Sequence, residues 1–280
     1  PLTATQALIK SRNVPAVNLL LKLKKPGLYE LLTAASLKGL RSEEFYGLAL
    51  ALGGVEISML EMLELYAMLA NQGQFSKIDG QKQQTSLQLI SPEAAWLTLQ
   101  MLSQNQATDS ISNASIEPHK YPVFWKTGTS YAYRDAWAVG GFGDYILGVW
   151  IGDFSGIGNP AYIGREAAAP LFFELVRAIA QKAPPKQTTF SNKGLKVSKV
   201  DLCASTGDLP GPHCPKTQPG WFIPGKSPIK VSTIHREVFI DNDTGKRACR
   251  YNPDTTTKQV YEFWPSDLAQ VFRMAGIQHN

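Results

Sequence analysis

The chain has 280 residues, of which 44% are hydrophobic and 18% are charged, and its formal net charge is +5. This composition excludes a disordered or fibrous chain and leaves room for one large domain or two ordinary ones. No Arg/Lys block alternates with aromatic residues, so nucleic acid is not expected as a partner. The aliphatic and glycine run 47–55 is far too short to cross a bilayer.

Helix signals dominate the first part of the chain. Ser58 and Glu61 form a Ser-x-x-Glu capping box ahead of a helical apolar pattern, and Gly73 is a natural stop for that helix. Ser91 followed by Pro92 predicts a second helix that runs to about residue 102, with the serine as cap and the proline in the first turn.

Strand signals begin near residue 122. Residues 135–153 predict two strands joined by a Gly-Asp hairpin between Phe142 and Tyr145, and residues 167–181 predict an apolar helix. The Pro-rich, basic stretch 182–194 lacks periodicity and indicates a domain boundary. Short strand-like runs separated by turn residues, with one short helix near the end, then predict a small β-rich module.

The segment with the clearest chemistry is Lys126-Thr127-Gly128-Thr129-Ser130. A strand directs positions 126 and 128 to one face, and the glycine lets a substrate backbone approach closely. Lys126 can polarise such a site, and the Thr129 hydroxyl can bind a substrate carboxylate. Lys-Thr-Gly occurs in serine acyl-transfer sites, although an ordinary strand that enters a turn can have the same residues.

A Ser-x-Asn triplet, Ser11-Arg12-Asn13, precedes Lys126 by 115 residues. Taken alone, Asn13 is typical of the cap of the apolar helix that follows it. Together with Lys-Thr-Gly at this distance, we interpret the triplet as the facing wall of a cleft. The intervening residues are sufficient for a helical subdomain.

Such a site also needs a serine three residues before a lysine, so that the amine one helical turn away can take the hydroxyl proton. In these 280 residues only Ser227 and Lys230 have this spacing. They lie beyond the predicted boundary among strand-like runs, and they follow the Lys-Thr-Gly segment. We therefore interpret them as unrelated to the cleft.

These motifs, in this order, resemble class A penicillin-binding proteins of the 1C type. The stretches "ALIKSRNVPAV", "WKTGTSYAYRDAWAVG", "GREAAAPLFFELV", "CASTGDLPGPHCP" and "IHREVFIDNDTGKRAC" carry the resemblance across nearly the whole chain. The resemblance implies an α/β (α+β) fold like that of penicillin-binding transpeptidases and serine β-lactamases, with an antiparallel sheet and a helical subdomain. A small β-rich domain would follow.

In this family, residues 1–183 would be the C-terminal portion of a transpeptidase domain, 184–194 a linker and 195–280 the C-terminal β-rich domain. The resemblance implies a periplasmic peptidoglycan synthase with no cofactor, held at the inner membrane by an N-terminal anchor. Peptidoglycan stem peptides and β-lactams would be its ligands, and cell-wall synthesis proteins its further partners. We interpret the start of the chain at Pro1 as a cut edge.

The resemblance also assigns roles to the motif residues. Ser11 and Lys126 would be catalytic, with Ser11 passing a proton between the Ser-x-x-Lys lysine and the leaving group. The residues expected to bind substrate are Asn13, Thr127, Gly128 and Thr129. The family acylates a serine with release of D-alanine and then transfers the peptide to an amine. We expect the Ser-x-x-Lys nucleophile and a glycosyltransferase domain upstream of Pro1, so residues 1–280 alone would not be acylated.

The cysteines allow more than one interpretation. Cys203 and Cys214 lie 11 residues apart in a Gly/Pro-rich loop, and Cys249 follows later. His213 and His235 make a zinc site conceivable, but there is no Cys-x-x-Cys pair. In an oxidising periplasm a disulfide between Cys203 and Cys214 is favoured, and no metal is expected, although sequence alone leaves the pairing open.

Two other functions remain in view. The chain could be a non-catalytic remnant that binds peptidoglycan or a partner protein through its C-terminal module. A serine β-lactamase or carboxypeptidase shares the Lys-Thr-Gly segment. It is disfavoured because those enzymes lack the module after residue 184 and because no general base for deacylation is evident.

Overall fold

The computed structural model describes residues 2–78, 86–105, 121–186 and 190–277. The chain divides into two compact units, Leu2–Leu195 and Lys196–Asn280. In the described part, no helix combines the length and the apolar character that crossing a lipid bilayer requires.

Helices form most of the first half of the first unit. They are α1 (Ala4–Ile9), α2 (Asn13–Lys22), α3 (Leu28–Ala34), α4 (Glu43–Tyr46), α5 (Met59–Ala70) and α6 (Pro92–Leu102), with a 3-10 helix at Gly47–Leu52. Ser58 and Glu61 cap α5 reciprocally, because each side chain accepts a hydrogen bond from the other residue's backbone N–H. Ser91 caps α6 by accepting a hydrogen bond from the backbone N–H of Ala94 at 3.2 Å. Both predicted helices are confirmed.

The first unit also contains an antiparallel sheet with strand order β3-β4-β5. Its strands are β3 (Val123–Thr129), β4 (Asp135–Phe142) and β5 (Tyr145–Gly152), and a separate small hairpin pairs β1 (Gln74–Phe75) with β2 (Leu87–Gln88). Phe142 lies opposite Tyr145, as the predicted Gly-Asp hairpin requires. The predicted helix at 167–181 is α7 (Ala169–Lys182), and it begins later than expected because Gly164–Ala168 form a π-helical turn.

Aromatic residues anchor the sheet against α7. The Trp125 ring lies 5.0 Å from that of Phe173 and 6.5 Å from that of Phe172, measured between centroids. Ala136 and Ala138 of β4 are fully buried in the same cluster and leave room for these rings. This packing fixes the strand residue that immediately precedes Lys126.

A second apolar cluster lies among the helices. Its buried members are Leu32, Ala35, Leu37, Tyr46, Leu50, Met68 and Phe75. Two buried carboxylates tie loops to α5: Glu61 accepts a hydrogen bond from the Lys38 backbone N–H at 2.8 Å, and Glu64 accepts one from Ile78 at 2.7 Å. The helical layer is therefore held by both apolar packing and side-chain bonds to the backbone.

The second unit is β-rich, as predicted. One antiparallel pair joins β6 (Ser198–Cys203) to β7 (Thr217–Phe222), and a three-stranded sheet has the order β10-β8-β9. The members of that sheet and the helix after it are β8 (His235–Asp241), β9 (Arg247–Ala248), β10 (Thr256–Glu262) and α8 (Ser266–Met274). Cys203 and Cys214 form a disulfide with their Cα atoms 6.1 Å apart, and Cys249 is free and exposed.

Candidate active site

Lys126 lies in the middle of β3, which is an edge strand of the sheet. Among the described residues β3 pairs only with β4, with Lys126 opposite Val139 and Gly128 opposite Trp137. The other edge of β3 therefore has backbone groups that can pair with an extended peptide. Gly128 is exposed, and a Cβ placed there would come no closer than 3.6 Å to the Trp137 Cβ, so this side of the strand is open.

Lys126 contacts the residue predicted to be its catalytic partner. Its ammonium group donates hydrogen bonds to the Ser11 hydroxyl and, at 2.6 Å, to the Thr127 carbonyl oxygen. Ser11 lies between α1 and α2 with φ of +51°, in the left-handed region that residues other than glycine rarely adopt. Such a conformation costs about 1–3 kcal/mol, and residues in it cluster at functional sites. The structure thus brings together the two walls of the predicted cleft.

The surroundings of Lys126 make its charged form less stable than it is in water. Burial and, secondarily, the nearby Arg165 guanidinium lower the Lys126 pKa from 10.5 to about 8. Among the described residues no carboxylate forms an ion pair with it. A lysine with this pKa can both donate and accept a proton near neutral pH, as acid–base catalysis requires.

The π-helical turn before α7 completes this side of the site. The Gly164 backbone N–H donates a hydrogen bond to the Thr129 hydroxyl at 2.9 Å. A Cβ at position 164 would lie 2.3 Å from the Gly128 carbonyl oxygen, so only glycine allows this close approach. Arg165 extends over the Trp125 ring, with its guanidinium carbon 5.5 Å from the ring centroid.

Sequence reasoning did not identify Gly164 and Arg165 as site residues. The stretch "GREAAAP" contributed to the family resemblance, but no local pattern shows that this arginine lies near Lys126. The only signal available was a Gly-Arg pair directly before an Ala-rich helix. The proximity depends on the sheet and on α7 packing against it.

Asn13 is exposed at the first residue of α2. The cap of that helix is Arg12, so the capping role that Asn13 alone would have suggested is not observed. Within the described ranges its side chain has no hydrogen-bond partner and is available to a ligand. It lies two residues after Ser11 in the chain, and its role in the cleft stays a prediction.

Ser227 and Lys230 do not form a catalytic pair. Ser227 accepts a hydrogen bond from the Ile223 backbone N–H at 2.9 Å, and Lys230 forms an ion pair with Asp208 at 3.2 Å. No helix includes either residue. Their spacing in sequence is therefore unrelated to the Lys126 site.

Two family models match the chain. Residues 1–142 match the penicillin binding protein transpeptidase domain. The chain belongs to this family. Residues 195–237 match the C-terminal domain of penicillin-binding protein 1A, in the second unit.

Curated relatives show the same resemblance over greater length. Penicillin-binding protein 1C of Escherichia coli K12 is 26% identical over 96% of this chain and 36% of its own length. Penicillin-binding protein 1A of Clostridium botulinum strain Langeland is 27% identical over 89% of this chain and 32% of its own length. The chain thus spans about a third of the length of these relatives.

A solved structure has a similar fold. The crystal structure of penicillin-binding protein 1A from Haemophilus influenzae aligns with a TM-score of 0.65 at 20% sequence identity, covering 83% of this chain and 41% of that one. The predicted transpeptidase-like fold class, with an antiparallel sheet and a helical layer, is therefore confirmed.

Proposed function

We propose that this chain forms part of the D,D-transpeptidase of a bifunctional peptidoglycan synthase. In this proposal residues 1–183 are the C-terminal portion of the transpeptidase domain, 184–194 are a linker and 195–280 are the C-terminal β-rich domain. The observation that carries the proposal is the contact between the Lys126 amine and the Ser11 hydroxyl at the open edge of β3.

The edge of β3 suits an extended stem peptide that ends in D-Ala-D-Ala. Backbone pairing along Thr127, Gly128 and Thr129 would hold the peptide, because an exposed strand edge binds extended chains in this way. The cations Lys126 and Arg165 would attract its terminal carboxylate. A β-lactam carries a carboxylate in a similar position and would occupy the same place.

Proton transfer would pass through Ser11. The hydroxyl contacts an amine whose pKa is about 8, so Ser11 and Lys126 can relay a proton to the departing D-alanine. The free side-chain amide of Asn13 would bind the peptide backbone of the substrate. The nucleophilic serine would come from a Ser-x-x-Lys sequence outside these 280 residues, because Ser227 and Lys230, which have the spacing, bond to other partners in the second unit.

In this proposal the full-length gene product lies in the periplasm and is held at the inner membrane by an anchor outside these 280 residues. Its ligands would be peptidoglycan stem peptides and β-lactams, and its partners other cell-wall synthesis proteins. The names of these relatives, all penicillin-binding proteins, support β-lactams as ligands.

Fluorescent penicillin tests the proposal directly. We expect covalent labelling of the full-length gene product and none of the 280-residue chain. In the full-length protein, Lys126→Ala and Ser11→Ala should slow acylation by about 10²–10⁴-fold, the usual contribution of acid–base groups. The exposed Lys193→Ala is the matched control and should label at the original rate.

Two results would overturn the proposal. One is unchanged labelling of the full-length Lys126→Ala variant. The other is covalent labelling of the isolated chain at Ser227, which would identify a nucleophile in the second unit.

A further inference from the structure

Three potential metal ligands meet in the second unit. The ligand atoms of Cys203, Cys214 and His235 all lie within 4.8 Å of one another. They come from three separate segments: the end of β6, the loop before β7 and the start of β8. The pairing of β6 with β7 places Cys203 opposite Thr217, and this brings the loop that carries Cys214 back towards Cys203.

One pair of these atoms already has the separation that a tetrahedral zinc ion requires, whereas the two sulfur atoms would have to separate when the disulfide is reduced. The distance from Cys203 Sγ to His235 Nδ1 is 3.6 Å. Bonds of about 2.3 Å from zinc to sulfur and about 2.0–2.1 Å from zinc to nitrogen set these two atoms about 3.6 Å apart in a tetrahedron. Cys203 and His235 are buried, whereas Cys214 is partly exposed and leaves a path for an ion to enter.

The other side of His235 is organised as in many metal sites. His235 Nε2 lies 3.1 Å from Glu262 Oε1. Glu262 is held in turn, because it accepts hydrogen bonds from the Ser205 hydroxyl at 2.8 Å and from the Trp264 indole at 2.7 Å. A carboxylate that accepts a hydrogen bond from one ring N–H fixes the tautomer and leaves the lone pair of the other nitrogen, Nδ1, available to a metal beside Cys203. A disulfide alone requires no such arrangement.

We propose that the reduced thiols of Cys203 and Cys214, together with His235, form a zinc site. Thiolate and imidazole ligands favour zinc over hard cations such as magnesium or calcium. Two thiolates neutralise the charge of the ion, so the ion and its three protein ligands together would carry no net charge. Within the described residues no fourth Cys, His, Asp or Glu joins the cluster, so water would take the remaining position.

The disulfide and the zinc site exclude each other, since they use the same sulfur atoms. A thiol or phosphine reductant supplies the two electrons that break the S–S bond and leaves two thiols. Binding of Zn²⁺ then releases the two thiol protons, and neutral His235 donates its Nδ1 lone pair. The unit would thus have two alternative cross-links between the same chain segments.

Cobalt titration of the whole chain tests this site. The protein is reduced with a phosphine, freed of reductant without oxygen and titrated with Co²⁺. We expect thiolate-to-cobalt charge-transfer absorption and tetrahedral ligand-field bands that saturate at one ion per chain and disappear when Zn²⁺ is added. Cys214→Ser should abolish this absorption, whereas Cys249→Ser, the matched control, should leave it unchanged.

A second variant tests the role of Glu262 as a positioning residue. Glu262→Gln should weaken metal affinity by about 10–100-fold, the usual effect of losing a carboxylate behind a ligating histidine, while the tetrahedral spectrum remains. Glu237→Gln removes an equivalent charge from the neighbouring strand β8, where Glu237 pairs with Lys258, and should not change affinity.

Several results would overturn the proposal. These are the absence of charge-transfer absorption in the reduced chain, full binding by Cys214→Ser, and binding by the oxidised chain. Circular dichroism of each variant shows whether it is folded. If Cys203→Ser does not fold, Cys214→Ser decides the question because its side chain is partly exposed. A reduced chain that unfolds and does not refold with Zn²⁺ also contradicts the proposal.

Discussion

The two units of this chain are stabilised in different ways. Among the described residues, three clusters of buried apolar side chains lie in the first unit, centred on residues such as Phe172, Met68 and Phe124. In the described part of the second unit the buried apolar residues are Ile234, Val238, Phe272 and Cys203, and Cys203 belongs to a disulfide. A short chain buries too little surface to depend on packing alone, so cross-links and polar networks take a larger share of its stabilisation.

The two units also differ in whether a buried ionisable side chain lies beside a group of opposite charge. In the second unit His235 is buried beside the carboxylate of Glu262, which is itself held by two further hydrogen bonds. In the first unit Lys126 is partly buried with a serine hydroxyl and a carbonyl oxygen for partners and another cation nearby. A buried charge without a counter-ion costs stability, and such groups are typical of functional sites.

The largest effect is expected from the core of the first unit. Phe172 is fully buried against Trp125 and Phe173, so Phe172→Ala should lower the free energy of unfolding by about 3–5 kcal/mol. Hydrogen exchange of peptides from β4, followed by mass spectrometry, measures this change. Phe154→Ala removes the same atoms from a side chain that is 99% exposed and should change stability by less than about 0.5 kcal/mol. If the two variants change stability equally, the buried aromatic cluster is not what stabilises the first unit.

The second unit should instead be sensitive to its cross-link. Cys214→Ser, studied without added metal, should destabilise this unit by about 3 kcal/mol, because opening a loop of this length restores entropy to the unfolded chain. Protection of β8 amides against hydrogen exchange is the measurement. Cys249→Ser replaces an exposed, free thiol and is the matched control. If β8 protection is unchanged in Cys214→Ser, polar contacts rather than the disulfide stabilise this unit.

Elements defined by neighbouring residues could be predicted from the sequence. The capping box at Ser58, the proline at position 92 and the hairpin between Phe142 and Tyr145 involve contacts over a few positions, and the structure contains all three. The contact between Ser11 and Lys126 spans 115 residues. No periodicity predicts it, and it was expected from the Ser-x-Asn and Lys-Thr-Gly motifs and their distance along the chain, an interpretation that the family resemblance then supported.

Features that depend on tertiary packing could not be predicted. Arg165 lies near Lys126 because α7 packs on the sheet, and His235 reaches Cys203 across 32 residues. The absence of a Cys-x-x-Cys pair argued against zinc. The expectation that no metal binds stays a prediction, and the favoured pairing of Cys203 with Cys214 is the one that the structure contains.

A smaller effect is expected at the cap of α5. Ser58→Ala removes the hydroxyl that accepts a hydrogen bond from the Glu61 backbone N–H and should cost about 1 kcal/mol. Ser76→Ala, at an exposed serine of the same unit, is the matched control and should be nearly neutral. Urea denaturation of both variants measures the difference. A cost of several kcal/mol for Ser58→Ala would mean that capping, rather than packing, dominates the helical layer.

The next prediction concerns the proton affinity of Lys126, because Lys126 has no carboxylate partner among the described residues, whereas His235 in the second unit has Glu262. Its pKa in the folded protein, about 8, lies below the ordinary 10.5, so the folded state binds fewer protons between these values. Relative to Lys126→Met, the wild-type protein should therefore gain stability as the pH rises from below 8 towards 10.5. Urea denaturation of both proteins over this pH range isolates the contribution of Lys126, since all other groups titrate in both.

Arg165 should control part of this shift. Arg165→Gln removes a like charge, so the Lys126 pKa should rise, and acetylation of Lys126 by acetic anhydride should increase only at higher pH. Arg41→Gln makes the same charge change at a residue that stacks on Phe45, and it should leave the acetylation profile unchanged. If the profile is the same in all three proteins, burial alone lowers the pKa.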